Sequence, residues 1–132
     1  MKKLILLIED DEMIIDVYTT ALEKLGHFKT EAIKLGQNVL KWTEELKKGK
    51  AKKPDLILLD LILPDMNGLD LLRDMRKEEG IKDIPVFIIT NYTSKELEEI
   101  GLDLKSEKYL TKTKFSVREL VDMVKERLGS EN

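Results

Sequence analysis

Residues 56–68 read Leu56-Ile57-Leu58-Leu59-Asp60-Leu61-Ile62-Leu63-Pro64-Asp65-Met66-Asn67-Gly68. The first four residues form a continuous apolar run, which is typical of a strand that is buried on both faces of a parallel sheet. The run ends abruptly at Asp60, and the proline, asparagine and glycine that follow favour a loop. Apolar residues at helical spacing come next, at positions 69, 72 and 75. The stretch therefore predicts a strand–loop–helix unit with a carboxylate at the carboxyl end of its strand.

The same order of strand and helix recurs along the whole chain. Apolar runs at 4–8 and 86–89 predict two further strands, 108–111 is a last short strand, and the more polar segment 27–33 is a candidate edge strand. A helical pattern follows each of these strands. Strands that alternate with helices favour a parallel sheet, and right-handed crossovers place helices on both of its faces. The sequence therefore predicts an α/β fold, a doubly wound (βα)5 three-layer sandwich that forms a single domain over residues 1–132.

The predicted helices have apolar stripes that we expect to face the core. The stripe of the first helix comprises Met13, Ile14, Val17, Tyr18, Ala21, Leu22 and Leu25. Gly26 follows in the position of a C-terminal cap. The stripe of the second helix comprises Val39, Leu40, Thr43 and Leu46. The last helix begins near Ser116, where Glu119 completes a capping box.

The composition excludes several classes of function. The 132 residues are 42% hydrophobic and 37% charged, as in an ordinary globular domain. A net charge of −3 provides no basic surplus for binding nucleic acid or an anionic membrane. The absence of cysteine excludes disulfides and cysteine-based metal sites. The apolar run 4–8 is too short for a signal peptide or a membrane span, so we expect a cytoplasmic protein without membrane insertion.

Charged and polar residues stand where four of the predicted strands end. Glu9 and Asp10 follow the first strand, and Asp60 follows the third. Thr90 ends the fourth strand and Lys112 follows the fifth. Because ligands of doubly wound sheets bind outside the carboxyl ends of the strands, we expect these residues to form one site.

The chemistry of this cluster indicates a divalent cation and a phosphoryl group. Carboxylates about 4 Å apart would repel each other by roughly 4 kcal/mol per pair, and a cation relieves that repulsion. Oxygen ligands favour Mg²⁺, which keeps positions open for water and phosphate oxygens. Lys112 and Thr90 can contact a phosphoryl group, and Asp60 is the natural nucleophile.

Four motifs carry a family resemblance over essentially the whole chain. They are Leu7-Ile8-Glu9-Asp10-Asp11-Glu12, the stretch from Asp60 to Gly68, Ile89-Thr90 and Tyr109-Leu110-Thr111-Lys112. Together and in this order they resemble the receiver domains of two-component response regulators, of the stand-alone, chemotaxis-regulator-like type. The resemblance implies a flavodoxin-like fold with strand order 2-1-3-4-5.

The resemblance also implies a role for each site residue. Asp60 would accept a phosphoryl group from a sensor histidine kinase, a phosphotransfer protein or a small acyl phosphate. Asp10, Asp60 and the backbone carbonyl of Ile62 would ligate Mg²⁺, and Glu9 would act mainly through water. Lys112 would pair with the phosphoryl group. Thr90 and Tyr109 would form a switch pair, although Tyr109 as plain core filler is the alternative.

The implied function is that of a phosphorylation-gated switch rather than an enzyme that turns over external substrates. The face formed by the fourth helix, fifth strand and fifth helix would bind a downstream effector protein. Because the chain ends with the fifth helix, we expect no attached DNA-binding domain and no direct contact with nucleic acid. The protein would be a monomer or a phosphorylation-dependent dimer.

The chain departs from the family pattern at three places. Thr113 replaces the usual proline after the family lysine, which makes Lys114 a rival of Lys112. Asn91 and Ile62 are larger or more apolar than usual and predict slow loss of the phosphate. The run Lys47-Lys48-Gly49-Lys50-Ala51-Lys52-Lys53 is either a solvated helix end or a patch for an acidic partner.

Two other functions remain as alternatives. A Mg²⁺ phosphohydrolase would use Asp60 as nucleophile, but such enzymes need a second carboxylate close after it, and Ile62 occupies that position. A phosphorylation-independent scaffold is the other alternative, which the presence of the acid, threonine and lysine positions disfavours.

Overall fold

The computed structural model of the protein describes residues 2–102 and 108–129. Within these ranges, strands and helices alternate as the sequence predicts. Their bounds are β1 (Leu4–Ile8), α1 (Glu12–Lys24), β2 (Lys29–Ile33), α2 (Gly36–Lys47), β3 (Leu56–Leu59), α3 (Gly68–Lys77), β4 (Val86–Thr90), α4 (Ser94–Glu99), β5 (Lys108–Thr111) and α5 (Val117–Leu128).

The strands form one parallel sheet in the order β2-β1-β3-β4-β5, which confirms the predicted fold. The strand order reverses between β1 and β3, so the crevice expected for a ligand lies between their carboxyl ends. Ile8 pairs with Leu59 at these ends. The residues that follow the two strands therefore start level with each other.

The sheet is covered by helices on both faces, and each face has its own apolar cluster. Alternate residues of a strand point to opposite faces, so Leu6 and Ile8 join one cluster while Ile5 and Leu7 join the other. The first cluster packs against α2 and α3, and the second packs against α1 and α5. Double coverage explains why the central strands read as unbroken apolar runs.

The predicted helix stripes were partly wrong. Met13 is 74% exposed, and Val17, Leu25 and Leu40 are also exposed. In α1 the residues that are buried or packed on the core centre on Tyr18, Leu22 and Ile15. Met13 and Val17 lie well off this arc at 100° per residue. The apolar stripe of the sequence is therefore wider than the face that the core covers.

The turn after α1 also differs from the prediction. The helix is capped by Leu25, and the residue with left-handed backbone is His27 (φ 58°) rather than Gly26. The strand begins at Lys29 and not at His27. His27 thus lies in the turn, where the backbone reverses before the edge strand.

Along the part of the chain that the structure describes, no helix is both long and apolar enough to cross a membrane.

Candidate functional site

The backbone fixes the predicted site residues at the carboxyl edge of the sheet. The amide of Asp60 donates to the carbonyl of Ile8 at 3.0 Å, and the amide of Glu9 donates to that of Ile33 at 3.0 Å. The amide of Lys112 donates to the carbonyl of Thr90 at 2.9 Å. Each bond extends the hydrogen-bond ladder one residue past a strand. The side chains at these positions therefore begin from a rigid backbone.

The structure brings the three predicted acidic residues together. One carboxylate oxygen from each of Glu9, Asp10 and Asp60 lies within 4.8 Å of the others. Glu9 and Asp60 are buried, whereas Asp10 is exposed. The cluster therefore combines two desolvated carboxylates with one that faces solvent.

Lys112 is the cation that faces the two buried acids. Its Nζ lies 2.9 Å from Asp60 Oδ2 and 2.7 Å from Glu9 Oε1. The side chain of Lys114 is exposed, and its backbone amide closes a turn onto Thr111. The geometry thus places Lys112, and not Lys114, beside Asp60. The described backbone contains no cis peptide bond, so the turn at Thr113 is a trans one.

Burial shifts the protonation equilibria of this cluster. Desolvation raises the pKa of Glu9, and the nearby Asp60 charge adds to that rise, while the hydrogen bond from Lys112 opposes it. Burial would lower the pKa of Lys112, but its bonds to Glu9 and Asp60 outweigh that effect and raise it. Lys112 therefore stays charged and offsets only part of the negative charge at this edge.

The carboxylate oxygens of the two buried acids have protein partners. Glu9 Oε2 accepts the amides of Asp10 and Asp11 at 3.0 and 3.2 Å, and its Oε1 faces Lys112. Asp60 Oδ1 accepts the amide of Ile62 at 3.0 Å, and its Oδ2 faces Lys112. Asp10 differs from both because its side chain is exposed.

Thr90 and Tyr109 lie on the neighbouring strands β4 and β5, where Thr90 pairs with Thr111, two residues beyond Tyr109. Thr90 is fully buried, and its Oγ1 accepts the amide of Tyr92 at 3.2 Å. Tyr109 pairs with Ile88, packs partly on the apolar core, and has its hydroxyl 2.6 Å from that of Ser94. Ser94, the first residue of α4, was missed by the sequence analysis, because a serine before a helix carries no signal beyond capping.

The loop after Asp60 is tightly folded. The amide of Gly68 donates to the carbonyl of Leu61 at 2.9 Å, and Ile62 bridges to Asn67. A side chain at position 68 would overlap the backbone of Leu61, so glycine is required for close approach rather than for a special turn. Asn67 caps α3 through a 2.8 Å bond from the amide of Leu69.

A cleft of about 250 Å³ opens over this cluster. It is lined by residues from several strand ends and from the loop after β3, namely Glu9, Asp10, Asp11, Asp60, Ile62, Leu63, Pro64, Asn91 and Lys112. The sequence analysis singled out most of them. The cleft is polar at its floor and has Ile62 and Asn91 in its lining.

A family model described as the response regulator receiver domain matches residues 5–125. The chain belongs to this family. Receiver domains of known structure share its fold: that of sensor histidine kinase PA1611 from Pseudomonas aeruginosa, with a magnesium ion in its active-site cleft, is 25% identical at a TM-score of 0.78 over 98% of this chain and 100% of that one. The CheY-like receiver domain protein from Methanospirillum hungatei is 28% identical at a TM-score of 0.78 over 97% and 94% of the two chains.

Curated response regulators also match this receiver domain. The DNA-binding response regulator MtrA of Mycobacterium tuberculosis is 35% identical over 128 residues, which cover 97% of this chain and 51% of that protein. The phosphate regulon regulatory protein PhoB of Pseudomonas aeruginosa is 34% identical over 93% of this chain and 50% of that protein. The chain thus spans about half the length of these relatives.

The receiver site suits a hard divalent cation. Its candidate ligand atoms are carboxylate oxygens, and among the described residues three acids stand against one lysine, Lys112, which contacts two of them. Two of the acids are buried, where their mutual repulsion is least screened. Mg²⁺ matches this donor set because it prefers oxygen ligands and tolerates an incompletely enclosed site.

Proposed function

We propose that this receiver domain is switched by phosphorylation of Asp60 in a Mg²⁺-dependent reaction. The observation that carries the proposal is the position of Asp60. It is buried at the end of a central strand, has Lys112 Nζ 2.9 Å from one oxygen, and lies within 4.8 Å of two further carboxylates.

Asp60 supplies the nucleophile. One of its carboxylate oxygens attacks phosphorus, the new P–O bond forms, and the P–N bond of a phosphohistidine or the P–O bond of an acyl phosphate breaks. The leaving group keeps the bonding electron pair. The ammonium group of Lys112 then pairs with a phosphoryl oxygen instead of with Asp60. The hydroxyl of Thr90 donates a hydrogen bond to another phosphoryl oxygen.

Asp10, Asp60 and the backbone carbonyl of Ile62 would hold Mg²⁺ directly, and Glu9 would act mainly through water. One observation supports a direct role for Asp10: its side chain is exposed and lines the cleft over Asp60. Bound Mg²⁺ would neutralise the charge that accumulates on the transferring oxygens.

Thr90 and Tyr109 would transmit the phosphorylation state to the surface formed by α4, β5 and α5. The hydroxyl oxygen of Thr90 accepts the amide of Tyr92 at 3.2 Å, and the hydroxyl would turn to donate to a phosphoryl oxygen. Tyr109 would then leave Ser94 and move inward behind it. This surface would bind the downstream effector, and the protein would remain a monomer or dimerise when phosphorylated.

Asn91 and Ile62 would slow the loss of the phosphate. Both line the cleft beside Asp60, and Ile62 places an apolar side chain where a polar group could guide water. The same side chain argues against turnover of external phosphate esters, because the second carboxylate that such enzymes need is missing from position 62. The domain would therefore catalyse only its own phosphorylation and dephosphorylation.

The phosphoryl group would come from a sensor histidine kinase, a phosphotransfer protein or a small acyl phosphate. We extend the proposal to a single receiver domain over residues 1–132 that acts in the cytoplasm through protein partners. DNA binding is a function of relatives such as MtrA, of which this chain covers about half. We propose no direct contact between this domain and nucleic acid.

The proposal is tested by incubating the protein with acetyl phosphate and Mg²⁺ and then measuring its intact mass. We expect one phosphate adduct on the unaltered protein and none on Asp60→Asn, which keeps the shape of the side chain but is not a nucleophile. An adduct on Asp60→Asn, or no adduct on either protein, would contradict the assignment.

A further inference from the structure

The tip of the loop after Asp60 is tied to a second element of the fold. Asp65 Oδ1 accepts the amide of Gly36 at 2.8 Å, and Oδ2 accepts the amide of Gln37 at 2.9 Å. These amides are the first two of α2. The cap position of that helix is Leu35, whose side chain makes no capping bond. Asp65 therefore caps α2 from another part of the chain.

The contact between loop and helix is close as well as polar. A side chain carbon at position 36 would overlap the sulfur of Met66, the residue after Asp65. With alanine at position 36, the Met66 side chain could not keep its contact with the first turn of α2. The absence of a local capping residue and the presence of this glycine point to the same contact.

The other end of this loop carries the phosphorylation site. Asp60 Oδ1 accepts the amide of Ile62, Ile62 bridges to Asn67, and Gly68 bonds back to Leu61. The loop is thereby closed at its root, with Asp60 at the start and Asp65 at the tip. Because the loop is short and closed by these bonds, a movement of its tip would also move the backbone around Ile62.

We infer that Asp65 is a positioning residue for the metal and phosphorylation site. By holding the loop against α2, it fixes the backbone of Ile62, whose carbonyl is the proposed metal ligand, and the Asp60 side chain bonded to that backbone. This inference rests on the proposed function and assigns it a further residue.

The chemistry of the contact indicates a stable interaction between Asp65 and the start of α2. The first amides of a helix lack partners within the helix and carry its positive partial charge. A carboxylate that accepts two of them is a favourable cap. These two bonds lower the pKa of Asp65, so the carboxylate stays charged at neutral pH.

The experiment measures Mg²⁺ binding by calorimetry, without any phosphodonor, on the full chain and three variants. Asp65→Ala removes both capping bonds. Gly36→Ala keeps the charge of Asp65 but forces the Met66 side chain out of its contact with α2 and crowds Asp65 Oδ1. Asp55→Ala is the matched control, since Asp55 accepts the amide of Leu4 at 2.8 Å at the opposite edge of the sheet.

We expect Asp65→Ala and Gly36→Ala to raise the Mg²⁺ dissociation constant by about tenfold, the usual effect of losing a group that orients a metal ligand. Asp55→Ala should leave it unchanged while lowering the melting temperature. In the acetyl phosphate reaction, the two loop variants should need more Mg²⁺ for half-maximal rate but should reach nearly the full rate at saturating Mg²⁺. That split separates positioning from general loss of structure.

Equal Mg²⁺ affinity in Asp65→Ala and Asp55→Ala would overturn the inference. An effect in Asp65→Ala with none in Gly36→Ala would also overturn it, because the loss of a negative charge would then be sufficient. If Asp65→Ala does not fold, Gly36→Ala decides alone. The proposed function fails separately, if the unaltered protein takes up no phosphate.

Discussion

Two edges of the sheet carry ion pairs of the same length but of different character. At the carboxyl edge, Lys112 lies 2.9 Å from Asp60, and the two side chains are 13% and 5% exposed. At the opposite edge, Lys47 at the end of α2 lies 2.9 Å from Glu78, and these side chains are 40% and 36% exposed. The pairs differ in burial and not in distance. We therefore expect burial to determine how strongly the Lys112–Asp60 pair affects stability and reactivity.

The difference shows how a charged cluster acquires chemistry. Solvent screens the exposed pair, so its two charges contribute little to stability or to each other's reactivity. The buried pair shares its site with Glu9, and its low exposure leaves the charges poorly screened by solvent. Cavity volume does not identify the functional site, because a groove of about 470 Å³ beside Lys47 is larger than the cleft of about 250 Å³ over Asp60.

The basic run 47–53 also belongs to this opposite edge. Lys47 pairs with Glu44 and Glu78, and Lys53 pairs with Asp83. These contacts favour the solvated helix end over a patch for an acidic partner, since two of the lysines already have acidic neighbours within the chain.

The largest expected effect comes from removing the lysine of each pair. Lys112→Met leaves two buried carboxylates without a cation, and we expect the free energy of unfolding to fall by about 3 kcal/mol in chelator. Lys47→Met should leave it nearly unchanged. Urea denaturation of both variants measures the contrast. Equal losses would mean that burial does not separate the two edges.

A smaller effect is expected when an exposed acid is neutralised at each edge. Asp10→Asn should raise the Mg²⁺ dissociation constant by about a hundredfold, at the upper end of what ligand perturbation produces. Asp83→Asn removes an acid of the opposite edge and should leave Mg²⁺ binding unaltered. An unchanged Mg²⁺ titration for Asp10→Asn would remove Asp10 from the ligand set.

The cleft lining provides a test of what the buried edge does to a bound phosphate. Asn91→Ala should shorten the half-life of the phosphorylated protein severalfold, because the smaller side chain admits water to Asp60. Decay of the adduct in Mg²⁺ buffer is followed by intact mass. A half-life of only seconds in the unaltered protein would refute the proposed shielding.

The smallest effect concerns how stability depends on pH, which should have opposite signs for Glu9 and Asp83. The free energy of unfolding is measured by urea denaturation in chelator. Burial raises the pKa of Glu9 from 4.5, so this group stabilises the protein at low pH and the stabilisation is lost as pH rises through the raised pKa. The hydrogen bond from Lys53 lowers the pKa of Asp83 from 3.8, so its stabilisation is present above 3.8 and is lost as pH falls through the lowered pKa.

The variants should therefore diverge in opposite directions. Relative to the unaltered protein, Glu9→Gln should gain stability as pH rises above 4.5. Asp83→Asn should be less stable than the unaltered protein above 3.8, and this deficit should shrink as pH falls below 3.8 through the lowered pKa. Parallel curves for the two variants would show that the two edges titrate alike.

Periodicity predicted the α/β fold, whereas the strand order came from the family resemblance. In a parallel sheet, residues that follow the strands meet at one edge, and the strand ends therefore predicted that Glu9, Asp60 and Lys112 lie together. The capping role of Asp65 was not predicted, since it depends on where a loop lies in space. The exposure of Met13 was missed because an apolar stripe does not reveal how far the core extends.

The central claim is that Asp60 is the residue that carries the phosphoryl group, and site mapping tests it most directly. After reaction with acetyl phosphate and Mg²⁺, borohydride reduces an aspartyl phosphate to homoserine, which peptide mass spectrometry locates. We predict homoserine at position 60 when Mg²⁺ is present, and none in chelator. Homoserine at another acidic residue, or an unaltered Asp60 in a protein that has gained phosphate, would contradict the account.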